Sequence, residues 1–226
     1  MCGRYSLRRT DYTREEFEAL KLPSFEEFDE RPRPRFNIAP SQKVQAIRLN
    51  ANDEQVLGLL TWGLMPSWAK SDTKARPFNA RAEAISTNGM FRQAFERRRC
   101  LIPADGFFEW KGDKPNKQPL FIHRPDDGVF AFAGLWERWK SGDSAQALDT
   151  CTIITTEPND LMRPIHNRMP VILQREDYAL WLDRNTPKKQ LSKLLRSYDG
   201  RLDAYPVSTL INKVANDGPE LVEARA

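Results

Sequence analysis

Residue 2 of this chain is a cysteine, followed by Gly3, Arg4 and Tyr5. Removal of Met1 would leave an α-amine and a thiol on one carbon skeleton, the reagent pair for an aldehyde. An α-amine with a pKa near ~7.7–8.0 is partly neutral at physiological pH and condenses with an aldehyde to an imine. The thiol then closes on the imine carbon. That second bond is intramolecular, and the five-membered thiazolidine it makes is far harder to hydrolyse than an open Schiff base. The small residue at position 2 suits the aminopeptidases that trim initiator methionine; with Met1 retained, only the thiol is available. A second-position residue is otherwise commonly an unimportant chain end, so the reading of Cys2 depends on its company.

His123 lies inside the strand-like run Leu120-Phe121-Ile122-His123-Arg124, where a structural or outward-facing imidazole is expected. His166 sits in Ile165-His166-Asn167-Arg168-Met169-Pro170, a turn leading into an apolar strand, where an imidazole reaches a cleft and transfers protons. Glu109 stands in Asp105-Gly106-Phe107-Phe108-Glu109-Trp110-Lys111, flanked by three aromatics. Screened from water it is a proton shuttle; on a plainly alternating strand it faces solvent. Asn79, in Phe78-Asn79-Ala80-Arg81-Ala82-Glu83, offers a neutral donor and acceptor beside the cationic Arg81, a pairing suited to a polar ligand next to a phosphate. Trp62-Gly63-Leu64-Met65-Pro66-Ser67-Trp68 sets two indoles around a turn. Trp62 ends an apolar strand and belongs in the core. Trp68 is the candidate platform for stacking on or wedging between bases, worth ~1–3 kcal/mol per base.

The elements that must position these groups are mostly strands. Lys43–Leu49 alternates, Val56–Trp62 is a short apolar run, and Pro119–His123, Val129–Trp136, Thr150–Thr156 and Pro170–Leu173 are β-branched or aromatic runs bounded by turn residues. Helices are predicted from a capping box at Thr13 and Glu16 through Leu20, and over Gly89–Arg98, Arg175–Leu182 and Lys188–Tyr198. Pro23–Pro40 reads as an ordered loop wrapped over the body. No repeat or Gly/Ser-rich linker divides the chain, so 1–226 reads as a single α+β domain with a mostly antiparallel, barrel-like β core and peripheral helices.

Composition sets the bounds. The 226 residues are 40% hydrophobic, with 12 Phe, 6 Trp and 5 Tyr, enough for a real core. No apolar run approaches the ~18 residues of a membrane span, and the N-terminus turns charged at Arg4, Arg8 and Arg9 in place of a signal-peptide core, so a cytoplasmic protein is expected. Cys2, Cys100 and Cys151 lack the spacing of a disulfide framework or zinc site; Cys100 and Cys151 sit in apolar strings that mark core positions. No metal and no cofactor are expected. The net charge of +4 permits a polyanionic partner, and the basic residues cluster at Arg31, Arg33 and Arg35, at Arg92, Arg97, Arg98 and Arg99, and at Lys111, Lys114 and Lys117.

Taken in order, Met1-Cys2-Gly3-Arg4, Phe36-Asn37-Ile38-Ala39-Pro40, Trp62-Gly63-Leu64-Met65-Pro66, Asn79-Ala80-Arg81-Ala82-Glu83, Gly106-Phe107-Phe108-Glu109-Trp110 and His166-Asn167-Arg168-Met169-Pro170 resemble the SRAP family, the SOS-response-associated peptidases. The resemblance implies an abasic-site sensor that binds single-stranded DNA and crosslinks to the lesion through the N-terminal cysteine. The family's catalytic positions fall on Cys2, Asn79, Glu109 and His166. Arg4, Arg81 and Arg168 would hold flanking phosphates and Trp68 would occupy the space of a complementary strand. A monomer acting on single-stranded DNA with abasic sites, nucleoid-associated when bound and away from membranes, follows from the same resemblance. Asn167 stands where an Asp is common, Phe108 where a Tyr is frequent, and Ala69 where some members carry a second Trp.

Two other readings use the same residues. A cysteine peptidase, acting on itself, would take Cys2 as nucleophile and His166 as base. A non-catalytic module would bind single-stranded nucleic acid through its basic clusters and Trp68, with Cys2 incidental.

Overall fold

A computed structural model describes residues 2–9, 33–70, 76–113, 115–140 and 147–225. Among these, five strands close into a ring: β3 (Lys43–Leu49), β4 (Gln55–Trp62), β6 (Arg99–Ala104), β9 (Phe130–Lys140) and β10 (Ala147–Thr156). Their order is β10-β4-β3-β6-β9, and β9 pairs back onto β10 over seven residues from Lys140↔Ala147 to Gly134↔Ile153. Every pairing in the ring is antiparallel except β10 with β4, which runs parallel at Thr150↔Thr61 and Cys151↔Trp62. Closure leaves these strands without the unpaired edge that templates aggregation.

A second sheet of five strands runs β13-β8-β7-β1-β2. It is built from β1 (Tyr5–Leu7), β2 (Arg35–Ile38), β7 (Gly106–Lys111), β8 (Gln118–His123) and β13 (Asp203–Pro206). The period of two sorts its side chains between two cores. Tyr5, Phe107, Leu120 and Ile122 join the large core that includes the barrel, whereas Phe108 and Phe121 join Val207, Ile211 and Leu221 in a separate cluster. Edge-to-face contacts bind the first face to the barrel: Tyr5 to Trp62 at 5.4 Å and to Phe132 at 5.7 Å, and Phe107 to Phe132 at 6.2 Å.

The predicted strand over Pro170–Leu173 is two short pieces, β11 (Met169–Pro170) and β12 (Ile172–Leu173), because the chain changes partners at Val171. β11 pairs with β10 and β12 with β9, while Val171 donates to Ile154 O and accepts from Ala133 N. Sequence patterning missed β1, β2, β5 (Asn79–Arg81), β6 and β13 as strands and offered β7 only as the alternating alternative for Glu109. The Pro23–Pro40 loop is corrected at its end, where Arg35–Ile38 is β2; the rest up to Pro32 lies outside the described residues, as does the helix at Thr13–Leu20.

The helices are shorter than predicted. α1 spans Arg92–Arg97, because an Asx turn at Asn88 delays its start and the chain enters β6 at Arg99. Arg175–Leu182 is a 3₁₀ turn continued by α2 (Tyr178–Leu182), and Lys188–Tyr198 keeps only α3 (Lys188–Leu194). α2 docks on the barrel where the Trp181 indole donates to Cys100 O at 3.0 Å and Ala131 N donates to the Tyr178 hydroxyl at 2.9 Å. Arg99 is buried, and its guanidinium donates to the carbonyls of Phe95, Glu96, Trp181 and Asp183, closing the ends of α1 and α2.

Candidate functional site

Cys2 is delivered by β1. Tyr5 pairs with Phe107 and Ser6 with Gly106, and the ladder continues as Phe108 N donates to Arg4 O at 3.0 Å, so the residues ahead of β1 run alongside Glu109. Buried Asp105 anchors the far end of β1, accepting from Ser6 Oγ at 2.6 Å, from Arg8 Nε at 3.1 Å and from the backbone N–H groups of Arg8 and Arg9. Gly106 is required beside it: a Cβ there would stand 2.1 Å from Phe121 Cζ.

The Cys2 thiol is fully buried in the large core. Burial pushes it well above the usual thiol range and the negative charge of nearby Glu109 adds to the shift, so it stays protonated at neutral pH. Glu109 is 3% exposed, and the solvent-facing alternative for it is excluded. It shares its sheet face with Phe107, while Phe108 and Trp110 pack on the opposite cluster, so one flanking aromatic of the three screens it. Cys2 and Glu109 are the first pair that the fold brings together.

Asn79 opens β5, which lies parallel to β10 with Ile153↔Asn79, Ile154↔Ala80 and Thr155↔Arg81. Its Nδ2 donates to Phe78 O at 3.0 Å and Ile153 O at 3.5 Å, while its buried Oδ1 accepts no hydrogen bond from the described residues. A donor on a ligand would complete it. Trp62, as expected, is buried, and links this segment to β1: its indole donates to Phe78 O at 2.7 Å and its ring meets both Tyr5 and Phe78 edge on. Gly63, at φ +141°, turns the chain directly out of β4.

His166 stands on the loop that leaves β10 and returns as β11. Its backbone N–H donates to Met162 O, and its Nδ1 accepts from Arg168 N at 3.0 Å, with Arg168 O at 3.2 Å from the same atom. Neutral imidazole takes the N–H and keeps its own proton on Nε2; imidazolium donates to the carbonyl. Each protonation state has a backbone partner, which suits a group that gains and loses a proton.

Arg168 braces this loop. Its guanidinium forms a fork on Glu83, Nη1 to Oε1 at 2.8 Å and Nη2 to Oε2 at 2.9 Å, and donates again to Thr155 O at 2.6 Å. The fork holds the Glu83 carboxyl below its ordinary value. Asn79, Arg81, Thr155 and the His166 loop are thereby gathered along β10, the second group that the fold assembles. Glu83 and Asp105 are the positioning residues that sequence reasoning missed; their partners lie 85 and 96 to 99 positions away, a pairing that no local pattern carries.

Arg4 is half-buried, and its Nη1 donates to Gly3 O at 3.0 Å; burial lowers its pKa, and it has no ion-pair partner among the described residues. Arg81 is exposed and likewise outside every described ion pair. Trp68 is 61% exposed, on a turn held to the barrel by the Trp139 indole donating to Ala69 O at 2.7 Å. His123 has a structural place, stacked on Phe121 and bonded to Asp127 at 3.0 Å. Asn37 donates to the carbonyls of Ile211, Lys213 and Asn216, and Asp217 accepts from Phe36 N and Asn37 N, so this motif clasps the C-terminal segment.

The sequence model of the SOS response associated peptidase (SRAP) family matches residues 1–214. The chain is 43% identical to "Abasic site processing protein YoqW" of Bacillus subtilis, over 99% of this chain and 100% of that protein. It is 32% identical to "Abasic site processing protein YedK" of Escherichia coli, over 99% of each. A crystal structure of a protein from Bacteroides thetaiotaomicron superposes with a TM-score of 0.86 at 27% identity, covering 100% of both chains.

Proposed function

The chain belongs to the SOS response associated peptidase (SRAP) family, and from that premise we propose that it captures abasic sites in single-stranded DNA as a covalent adduct on Cys2 after loss of Met1. The observation that carries this reading is the burial of the Cys2 thiol against Glu109.

The open-chain abasic sugar is an aldehyde. His166 assists ring opening by giving a proton to the ring oxygen as the C1′ hydroxyl loses one and the bond from C1′ to the ring oxygen breaks. Asn79, through its open Oδ1, orients the sugar and the attacking amine. The amine adds to the carbonyl carbon, Glu109 relays protons as the carbinolamine loses one water, and the thiol adds to the imine carbon with its proton passing to nitrogen. One carbon–nitrogen and one carbon–sulfur bond form, and one water leaves. A neutral thiol suits this order, because it waits for the imine.

Arg4 and Arg81 hold flanking phosphates, a salt-sensitive contact, and Trp68 excludes a complementary strand. Arg168 takes a phosphate only in place of Glu83, so its main contribution is to hold the His166 loop. Weak cleavage 3′ to the site by β-elimination accompanies the reaction where the imine outlives ring closure. The cysteine-peptidase reading requires a thiolate, which both burial and the Glu109 charge oppose.

The test is replacement of Cys2 by alanine. The variant keeps affinity for an abasic-site oligonucleotide and loses the denaturation-resistant product. A variant that retains the product sinks the proposal, and one that loses binding as well points to a purely structural cysteine.

A further inference from the structure

Away from Cys2, at the other end of the β3–β4 hairpin, a hollow of about 720 Å³ is lined by Arg48, Arg97, Arg98, Arg138, Arg184 and Trp136. Val56, on its wall, lies six residues along β4 from Trp62, or about 20 Å. The hollow therefore stands apart from the Tyr5–Trp62–Phe78 junction that supports the Cys2 site.

Four of the five guanidiniums are fixed by carboxylates. Arg48 and Arg138 share Asp149, at 3.2 Å and at 2.6 and 2.7 Å, and Arg48 lies over the Trp136 ring at 4.3 Å. Arg98 pairs with Glu137 at 2.6 Å, and Arg184 pairs with Asp53 while donating to Asn50 O at 2.7 Å. Arg97 is exposed, with no ion-pair partner among the described residues. Five cations thus face the three carboxylates Asp149, Glu137 and Asp53. Burial foremost pushes the Arg48 guanidinium below its ordinary value; Asp149 opposes that shift and the neighbouring Arg138 adds to it.

We propose that this hollow is a second, non-covalent site for phosphoryl groups, and that its occupant is the phosphodiester backbone of a nucleic-acid strand. Guanidinium forks match phosphate oxygens in pairs, and their fixed geometry cuts the ordering cost of binding. The backbone of a strand fits the shape. A further hollow of about 490 Å³ shares Arg97 and Arg184 and extends past Lys188, which is paired with Glu96, so the basic surface is a track whose two hollows meet at Arg97 and Arg184. A nucleoside polyphosphate carries the same phosphoryl chemistry and is separated from a strand by the test.

The probes are an intact single-stranded oligonucleotide without an abasic site, and ATP. They are titrated against the full chain, the Arg97→Glu variant and the Arg97→Glu/Arg184→Glu double variant over a salt series. The double variant binds the oligonucleotide about tenfold more weakly, and its slope of log K against log salt falls by about 1 for each phosphate no longer neutralised. Arg97→Glu, at an exposed residue outside every described ion pair, shows the same trend in a protein of unaltered packing. Adduct yield on a short abasic oligonucleotide stays at the wild-type level in both variants, and the salt-slope effect persists if Cys2 forms no adduct at all, so the two readings fail separately. ATP binding abolished by the variants, with oligonucleotide affinity unchanged, overturns the strand and leaves a nucleotide site. Unchanged affinity for both probes in both variants overturns the site itself.

Discussion

Glu83 and Arg168, 85 residues apart in the chain, meet in a two-point fork at 2.8 and 2.9 Å that ties the turn after Asn79 to the loop of His166. Replacing Glu83 with glutamine breaks the charge pairing and loosens that loop. Single-turnover adduct formation falls about tenfold, a loss of ~1.4 kcal/mol in transition-state stabilisation, while affinity for DNA does not fall. Rapid-quench kinetics beside an anisotropy titration separates the two. The fork also sets an acid limit. The folded Glu83 carboxyl titrates below its unfolded value, so its stabilisation is present above the ordinary carboxylate range and is lost as pH falls through that lower folded value.

Glu109→Gln keeps the volume of the side chain and removes its charge. The Cys2 thiol then becomes more acidic, because the second cause of its upward shift is gone. If Glu109 only restrained the thiol, the variant would react faster. As a proton relay it is needed in the dehydration step, and the rate falls by about 10²–10⁴. The direction of the rate change at neutral pH decides between these roles.

Cys2, Cys100 and Cys151 are all buried, and burial raises each thiol. Unfolded, they release protons near pH ~8.5 while the folded protein holds them, so stability falls as pH rises beyond that point. Each thiol contributes a slope of about 1.4 kcal/mol per pH unit. Urea titrations from neutral to alkaline pH measure the slope, and Cys100→Ala reduces it by one thiol's share.

Asp105→Ala strips β1 of its anchor and leaves Arg8 without its buried partner. Breaking a pair of this kind costs about 3–5 kcal/mol, read as a lowered denaturation midpoint. Gly106→Ala is also destabilising, because the added Cβ collides with the Phe121 ring. Neither change touches the reacting groups, so residual folded protein of either variant still forms adduct.

The barrel was legible where strands alternate or run apolar, as in Lys43–Leu49 and Thr150–Thr156, because burial on one or both faces writes itself into the sequence. β1 and β5, which carry Cys2 and Asn79 into place, are three residues each. Strands that short hold no period to read and exist only through their partners β7 and β10. Glu109 showed as a carboxylate among aromatics, yet its burial depends on a sheet register that sets Phe108 and Trp110 on the far face. The cluster Arg92, Arg97, Arg98 and Arg99 read as one basic patch, and the structure divides it: Arg99 closes two helix ends from inside, while Arg97 and Arg98 line an open hollow.

Covalent capture at Cys2 stands or falls on the mass of the product formed between Met1-free protein and a single-stranded oligonucleotide with one abasic site, without added reductant. The expected adduct equals protein plus oligonucleotide less one water and is stable to heat. Its modification lies on the N-terminal Cys2 peptide, and the thiol of that residue is no longer alkylated. An adduct that appears only after borohydride trapping, leaves the Cys2 thiol free or maps to a lysine would contradict it.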